Sequence, residues 1–182
     1  MVHTKKSPAY RVAFMGLLLA LALVLSLVEQ SVSSLIIPIQ GVKLGLSNMI
    51  TMYALFFLGT RSAFLIAGLK SAFVFLIRGP VAFFMSISGG MLSVCCMFLL
   101  FSLKRARFSY LLISICGAVS HNIGQICAAA LWMQTAVVFT YLPVLVLSGV
   151  LMGCITGILL RVILPGFRRA ANFFGYFDPD RF

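Results

Sequence analysis

Few residues in this chain could do chemistry, and those few interrupt long apolar runs. Glu29 is the one carboxylate inside such a run, because the other two acids, Asp178 and Asp180, lie in the C-terminal tail. Lys70 falls near the middle of another run. The densest polar stretch is Ser120-His121-Asn122-Ile123-Gly124-Gln125. His121 and Gln125 are four apart and share a helical face, with Asn122 about 100° around. A fourth group follows the first run, where Gly41, Lys43, Gly45, Ser47 and Asn48 combine glycines that let a backbone approach a ligand with side chains that donate hydrogen bonds. Arg78 stands just before Gly79-Pro80. Ionisable groups within a bilayer are costly and mark a functional position by default.

Each group also has a plainer reading. Lys70 could snorkel its ammonium to an interface. Its mid-run position favours an inward role, either pairing with Glu29 or meeting an anionic ligand. The His121, Asn122 and Gln125 group could be interhelical hydrogen bonding, which is common in membrane bundles, or the lining of a cavity. The Lys43 stretch could be an ordinary interfacial loop, or an anion contact at the start of the helix that follows. Lys43, Lys70 and Arg78 outweigh Glu29, so a cavity lined by this set favours an anionic ligand. The many Phe, Leu and Met neighbours favour one with a large apolar or aromatic part.

The elements that must position these residues follow from composition. Of 182 residues, 62% are hydrophobic and 9% charged, with a mean hydropathy of +1.14. A soluble domain carries roughly 25% charged residues, so lipid is the solvent for most of this chain. Apolar segments run over residues 12–37, 44–58, 62–77, 81–103, 108–133 and 137–164. A bilayer core of about 30 Å needs roughly 20 residues per helix, so the expectation is an all-α integral membrane protein, a bundle of about six transmembrane helices. The second and third segments are short, which implies either extension into loops or burial within the bundle. Pro38 with Gly41, Gly79 with Pro80, and Pro165 with Gly166 are expected to end helices. The first run is too long for a signal peptide and lacks a small-residue cleavage site, so it reads as a retained helix. The domain boundaries are a cytoplasmic N-terminal segment 1–11, a transmembrane domain 12–165 and a cytoplasmic tail 166–182.

Basic residues set the orientation, since Lys and Arg concentrate on cytoplasmic loops. Threading six helices places Lys5, Lys6, Arg11, Arg61, Lys104, Arg105, Arg107, Arg161, Arg168, Arg169 and Arg181 on one side, and leaves Lys43, Lys70 and Arg78. Both termini are therefore expected in the cytoplasm, with the chain in the cell membrane. The net charge of +11 does not point to nucleic acid, because the basic residues sit singly or in pairs between apolar runs. The five cysteines, all within apolar segments, show no metal-ligand spacing and read as packing residues. No metal and no cofactor are expected. There is no convincing internal repeat, although Ser88-Gly89-Gly90-Met91 and Ser148-Gly149-Val150-Leu151 are weakly alike. Gly16 and Ala20 form a small-residue pair that lets another helix pack closely.

Three stretches carry a family resemblance. Gly41-Val42-Lys43-Leu44-Gly45-Leu46-Ser47-Asn48, Ala118-Val119-Ser120-His121-Asn122-Ile123-Gly124-Gln125, and Tyr141-Leu142-Pro143 with Leu147-Ser148-Gly149 resemble the Gx transporter family, also labelled heptaprenyl diphosphate synthase component I. That family is similar in turn to the substrate-binding S components of energy-coupling factor (ECF) transporters. The resemblance implies a six-helix protein that binds a vitamin-like ligand near the outer face and docks on a transmembrane and ATPase energising module through small residues of its first helix. Gly16 and Ala20 occupy the place of an Ala-x-x-x-Ala contact, with Gly for the first Ala. The resemblance also implies flavin-, quinone- or isoprenoid-precursor-like substrate classes, and as an alternative a noncatalytic subunit of a prenyl diphosphate/quinone-synthesis or flavin-based electron-transfer assembly. Catalysis is not expected, since prenyl diphosphate synthesis needs acid clusters that hold Mg²⁺. Nor does the chain have a P-loop with which to power transport. The expected substrate-binding set is Glu29, Lys43, Asn48, Lys70, Arg78, His121, Asn122 and Gln125.

Overall fold

The computed structural model describes residues 8–36, 45–103 and 109–173. Lys43, the link bearing Lys104, Arg105 and Arg107, and the chain ends bearing Lys5, Lys6 and Arg181 lie outside the described residues.

The first helix, α1, spans Pro8–Ile36 and starts on a proline, whose missing N–H is harmless at the first helical position. Its buried stripe is Phe14, Leu18, Ala22 and Glu29, while Val12, Leu17, Val24 and Val28 face outward. Glu29 thus continues the face that packs inward. The second helix, α2, spans Leu46–Tyr53 and passes into one π-helical turn, Ala54–Leu58. Every residue from Met49 to Phe57 is buried. At 1.5 Å per residue the pair is about 20 Å long, and a helix apolar all round belongs inside a bundle. Burial, not extension, explains why this apolar segment is short. Tyr53 stacks on Phe57 and meets Phe14 edge-on, fixing α2 against α1.

The stretch α3, Thr60–Ser102, is helical except at Gly79. Its 43 residues would extend about 65 Å if straight, twice the depth of a bilayer core. Ser71 and Ser86 nevertheless share a hydrogen bond of 3.0 Å, though 15 positions apart. The stretch is therefore a hairpin of two antiparallel arms, residues 60–78 and 80–102. The turn rests on Gly79 at φ 81°, a conformation open to glycine, and on Pro80, which disfavours helix in the residue before it.

The helix α4 spans Tyr110–Met133 and is capped by Ser109, whose hydroxyl accepts from the Leu112 N–H. After a 3-10 turn, Ala136–Tyr141, the last helix, α5, spans Leu142–Phe173. Its start is later than residue 137, because Thr135 caps the 3-10 turn and Pro143 sits in the first α-helical turn, where it removes no needed donor. Pro165 and Gly166 do not end it; the helix runs through both, as membrane helices tolerate. The five cysteines are free thiols.

The two arms of α3, with α4 and α5, pack without hydrophobic help, since lipid is as apolar as the side chains; close backbone approach replaces it. A Cβ on Gly124 would lie 2.8 Å from Gly89 Cα and Ser88 O, so α4 touches the second arm of α3 backbone to backbone. Gly149, Gly153 and Gly157 of α5 lie against Val119, Ile115 and Leu111 of α4, an antiparallel seam with a four-residue step. The two weakly similar Ser-Gly runs thus press on two different faces of α4.

The class is an all-α membrane protein. Among the described residues four helical stretches are long and apolar enough to cross a membrane, the 43-residue hairpin counted as one. Exposed side chains such as Leu76, Leu131 and Val162 are at least 70% accessible, far more apolar surface than a soluble monomer shows.

Gly124→Ala and Gly153→Ala are predicted to destabilise the bundle by about 1–3 kcal/mol through overpacking. Gly16→Ala should be neutral, because a Cβ there meets nothing within 4 Å. Thermal unfolding in detergent reads all three, and equal midpoints across the set would contradict the seams.

Candidate functional site

One end of the bundle carries the Gly79 turn and the 134–141 connection, and a cavity lies in the half nearer that end. Its empty space is about 540 Å³ when the opening at its mouth is counted. All five helical elements contribute: α1 gives Ser26 and Glu29, α2 gives Ser47 and Asn48, and the arms of α3 give Lys70, Val74 and Ser86. Ala118, His121 and Asn122 come from α4, and Gly149 and Met152 from α5.

Glu29 and Lys70 are 2% and 5% exposed, yet both line this cavity. The Glu29 carboxylate accepts from the Gly45 N–H. Gly45 stands at φ 76° directly before α2, and this conformation turns its N–H back toward α1. Lys70 Nζ donates to Ser47 Oγ at 3.3 Å. The lysine therefore turns inward, and snorkelling is replaced by a buried hydrogen bond. Two opposite charges from different helices thus converge on the first turn of α2.

The third wall is α4. His121 Nε2 and Gln125 Nε2 are 3.1 Å apart, as their four-residue spacing requires. Gln125 is buried behind the histidine and does not itself line the cavity. Asn122 Nδ2 donates to Leu145 O at 2.7 Å. A Cβ on Gly149 would lie 3.1 Å from that nitrogen, so the glycine keeps the asparagine's path to α5 open. Asn48 Nδ2 donates to Ser93 Oγ at 3.3 Å, tying α2 to the second arm of α3. Ser88 Oγ donates to Gly124 O at 2.8 Å beside the closest helix contact.

Of the expected set, Glu29, Asn48, Lys70, His121 and Asn122 share the cavity, and Gln125 supports it. Arg78 does not join them; it is exposed beside the Gly79 turn. Lys43 lies outside the described residues. Glu29 and Lys70, one of each sign, are the carboxylate and the ammonium of the described lining, where the sequence pointed to an excess of positive charge. Among the described residues no Phe, Tyr or Trp lines the cavity, and Val74 and Met152 are its largest apolar groups. Ser26, Ser86 and Met152 line it with no polar cluster in the sequence to mark them, whereas Ala118 and Gly149 fall within the runs that carry the family resemblance. Gly16 and Ala20 are exposed on the outward side of α1.

Residues 18–163 match the protein-family model described as heptaprenyl diphosphate synthase component I. A comparison with curated proteins finds no match.

Glu29→Gln and Lys70→Met are each predicted to destabilise the protein, by up to about 3–5 kcal/mol, by leaving one buried charge uncompensated. The double variant should lose less than the sum by more than about 0.5 kcal/mol, the margin within which independent sites add. Unfolding midpoints of the four proteins measure the coupling; strict additivity would mean that the two charges do not sense each other.

Proposed function

The chain belongs to the heptaprenyl diphosphate synthase component I family, and from that premise we propose that it is a membrane-embedded small-molecule binding subunit, similar to the S component of an ECF transporter. One observation carries this reading: two buried, opposite charges from α1 and α3 face one cavity in the interior of a bundle with an apolar exterior. Pure packing has no use for ionisable groups at that depth, and a ligand site does. The ligand is small and polar, with an anionic group for Lys70, and it enters from the outer face. Arg61, Arg161 and Arg169, toward the other end of their helices, support that orientation, with both termini in the cytoplasm.

The proposed partner is an energising ATPase module docked on the outward side of α1, since the chain itself has no P-loop. Gly16 and Ala20 support this: they are four apart, exposed, and open to a second helix. The family's description favours a second reading, a noncatalytic membrane subunit of a prenyl diphosphate-synthesis assembly. On either reading the subunit is not the catalyst, because three acids in the whole chain cannot form the clusters that prenyl transfer needs.

A Gly16→Leu/Ala20→Leu variant separates docking from binding. Tagged protein purified from native membranes in mild detergent is expected to carry an ATPase-containing complex, lost in this variant and retained in Lys70→Ala. Recovery of prenyl-transfer subunits instead would decide for the second reading. An ATPase complex unaffected by the leucines would move the docking surface elsewhere.

A further inference from the structure

The lining charges narrow the ligand class, an inference that rests on the cavity being a ligand site. We propose that the cavity selects a small zwitterion, its ammonium seated against Glu29 and its anionic group against Lys70. Both side chains bond to the first turn of α2, Glu29 to the Gly45 N–H and Lys70 to Ser47 Oγ. Anchors two residues apart on one chain are separated by roughly 6 Å, so a molecule that spans both charges is short. A carboxylate offers about four acceptor sites, and the Gly45 N–H takes one of those on Glu29.

The exclusions are as informative as the fit. A simple anion drawn to Lys70 brings its charge up to Glu29, and a simple cation drawn to Glu29 meets Lys70. Each therefore carries a built-in repulsion, which is how a site rejects the wrong partner. A zwitterion inserted head to tail sets an opposite charge against each of the two charged groups of the described lining, so neither is left half-compensated. Around it, Asn48, His121 and Asn122 supply further hydrogen-bonding groups. No described aromatic side chain offers a face on which a flavin or quinone ring could stack. The site is thus built for charge pairing and not for ring stacking.

Three probes of matched length decide the matter: butyrate, n-butylamine and γ-aminobutyrate, with β-alanine and ε-aminocaproate to vary the span. Each is titrated against the purified full-length protein in detergent, and the thermal midpoint is read. The expected order places one of the zwitterions first, half-saturating at about tenfold lower concentration than butyrate or n-butylamine. Glu29→Gln should bring butyrate level with the best zwitterion, and Lys70→Gln should do so for n-butylamine. The wild-type order stands as evidence even if neither variant folds. Butyrate alone matching the best zwitterion on the wild-type protein would overturn the zwitterion while leaving a ligand site for anions. No midpoint shift with any of the five would overturn the zwitterion and count against the ligand-site reading as well.

Discussion

A carboxylate and an ammonium held inside a bundle whose exterior is apolar form the constraint on which this structure turns. Neither charge is tolerable there alone, since desolvation of an unpaired ion costs several kcal/mol. Glu29 on α1 and Lys70 on α3 must therefore face the same space, and that requirement places three helices relative to one another. The turn at Gly45 supplies the Glu29 carboxylate with a backbone donor, and Ser47 supplies an acceptor for Lys70. Because both anchors lie at the start of α2, this short helix is the keystone of the site although it is too short to cross a bilayer. Its all-round burial follows from that position.

The opposite wall obeys a different rule. Where α3, α4 and α5 meet, glycines bring backbones into contact, at Gly89 against Gly124 and along Gly149, Gly153 and Gly157. Such contacts fix helix positions more tightly than flexible side chains would. They hold His121 and Asn122 on α4 at a defined place opposite the charged pair. The cavity is thus bounded by a glycine-packed wall on one side and, on the other, by two opposite charges each hydrogen-bonded to the start of α2.

Much of this was legible in the sequence, for identifiable reasons. Ionisable residues within apolar runs are rare, so Glu29, Lys70 and His121 stand out without any structure, and in the fold all three line one cavity. The hairpin was legible because Gly79-Pro80 is incompatible with a continuing helix. Arg78 misled for the same reason: a residue beside such a turn sits at a helix end and faces out. Arg78 therefore adds nothing to the charge of the described lining. Ser86 and Met152 were silent because single small or apolar residues on membrane helices look the same whether they face lipid, a neighbour or a cavity. The continuation of α5 past Pro165 was hidden because a proline signals a helix end in water more strongly than in a bilayer, where the helix has no alternative partner for its backbone.

A small molecule held in the Glu29–Lys70 cavity would travel with the protein through purification. Mass spectrometry of small molecules released from the protein purified in mild detergent tests it most directly, with the Lys70→Ala variant prepared in parallel. One polar compound is expected to be enriched on the wild-type protein, close to one per chain, and depleted on the variant. An extract with no enriched compound, or one carried equally by Lys70→Ala, would contradict it.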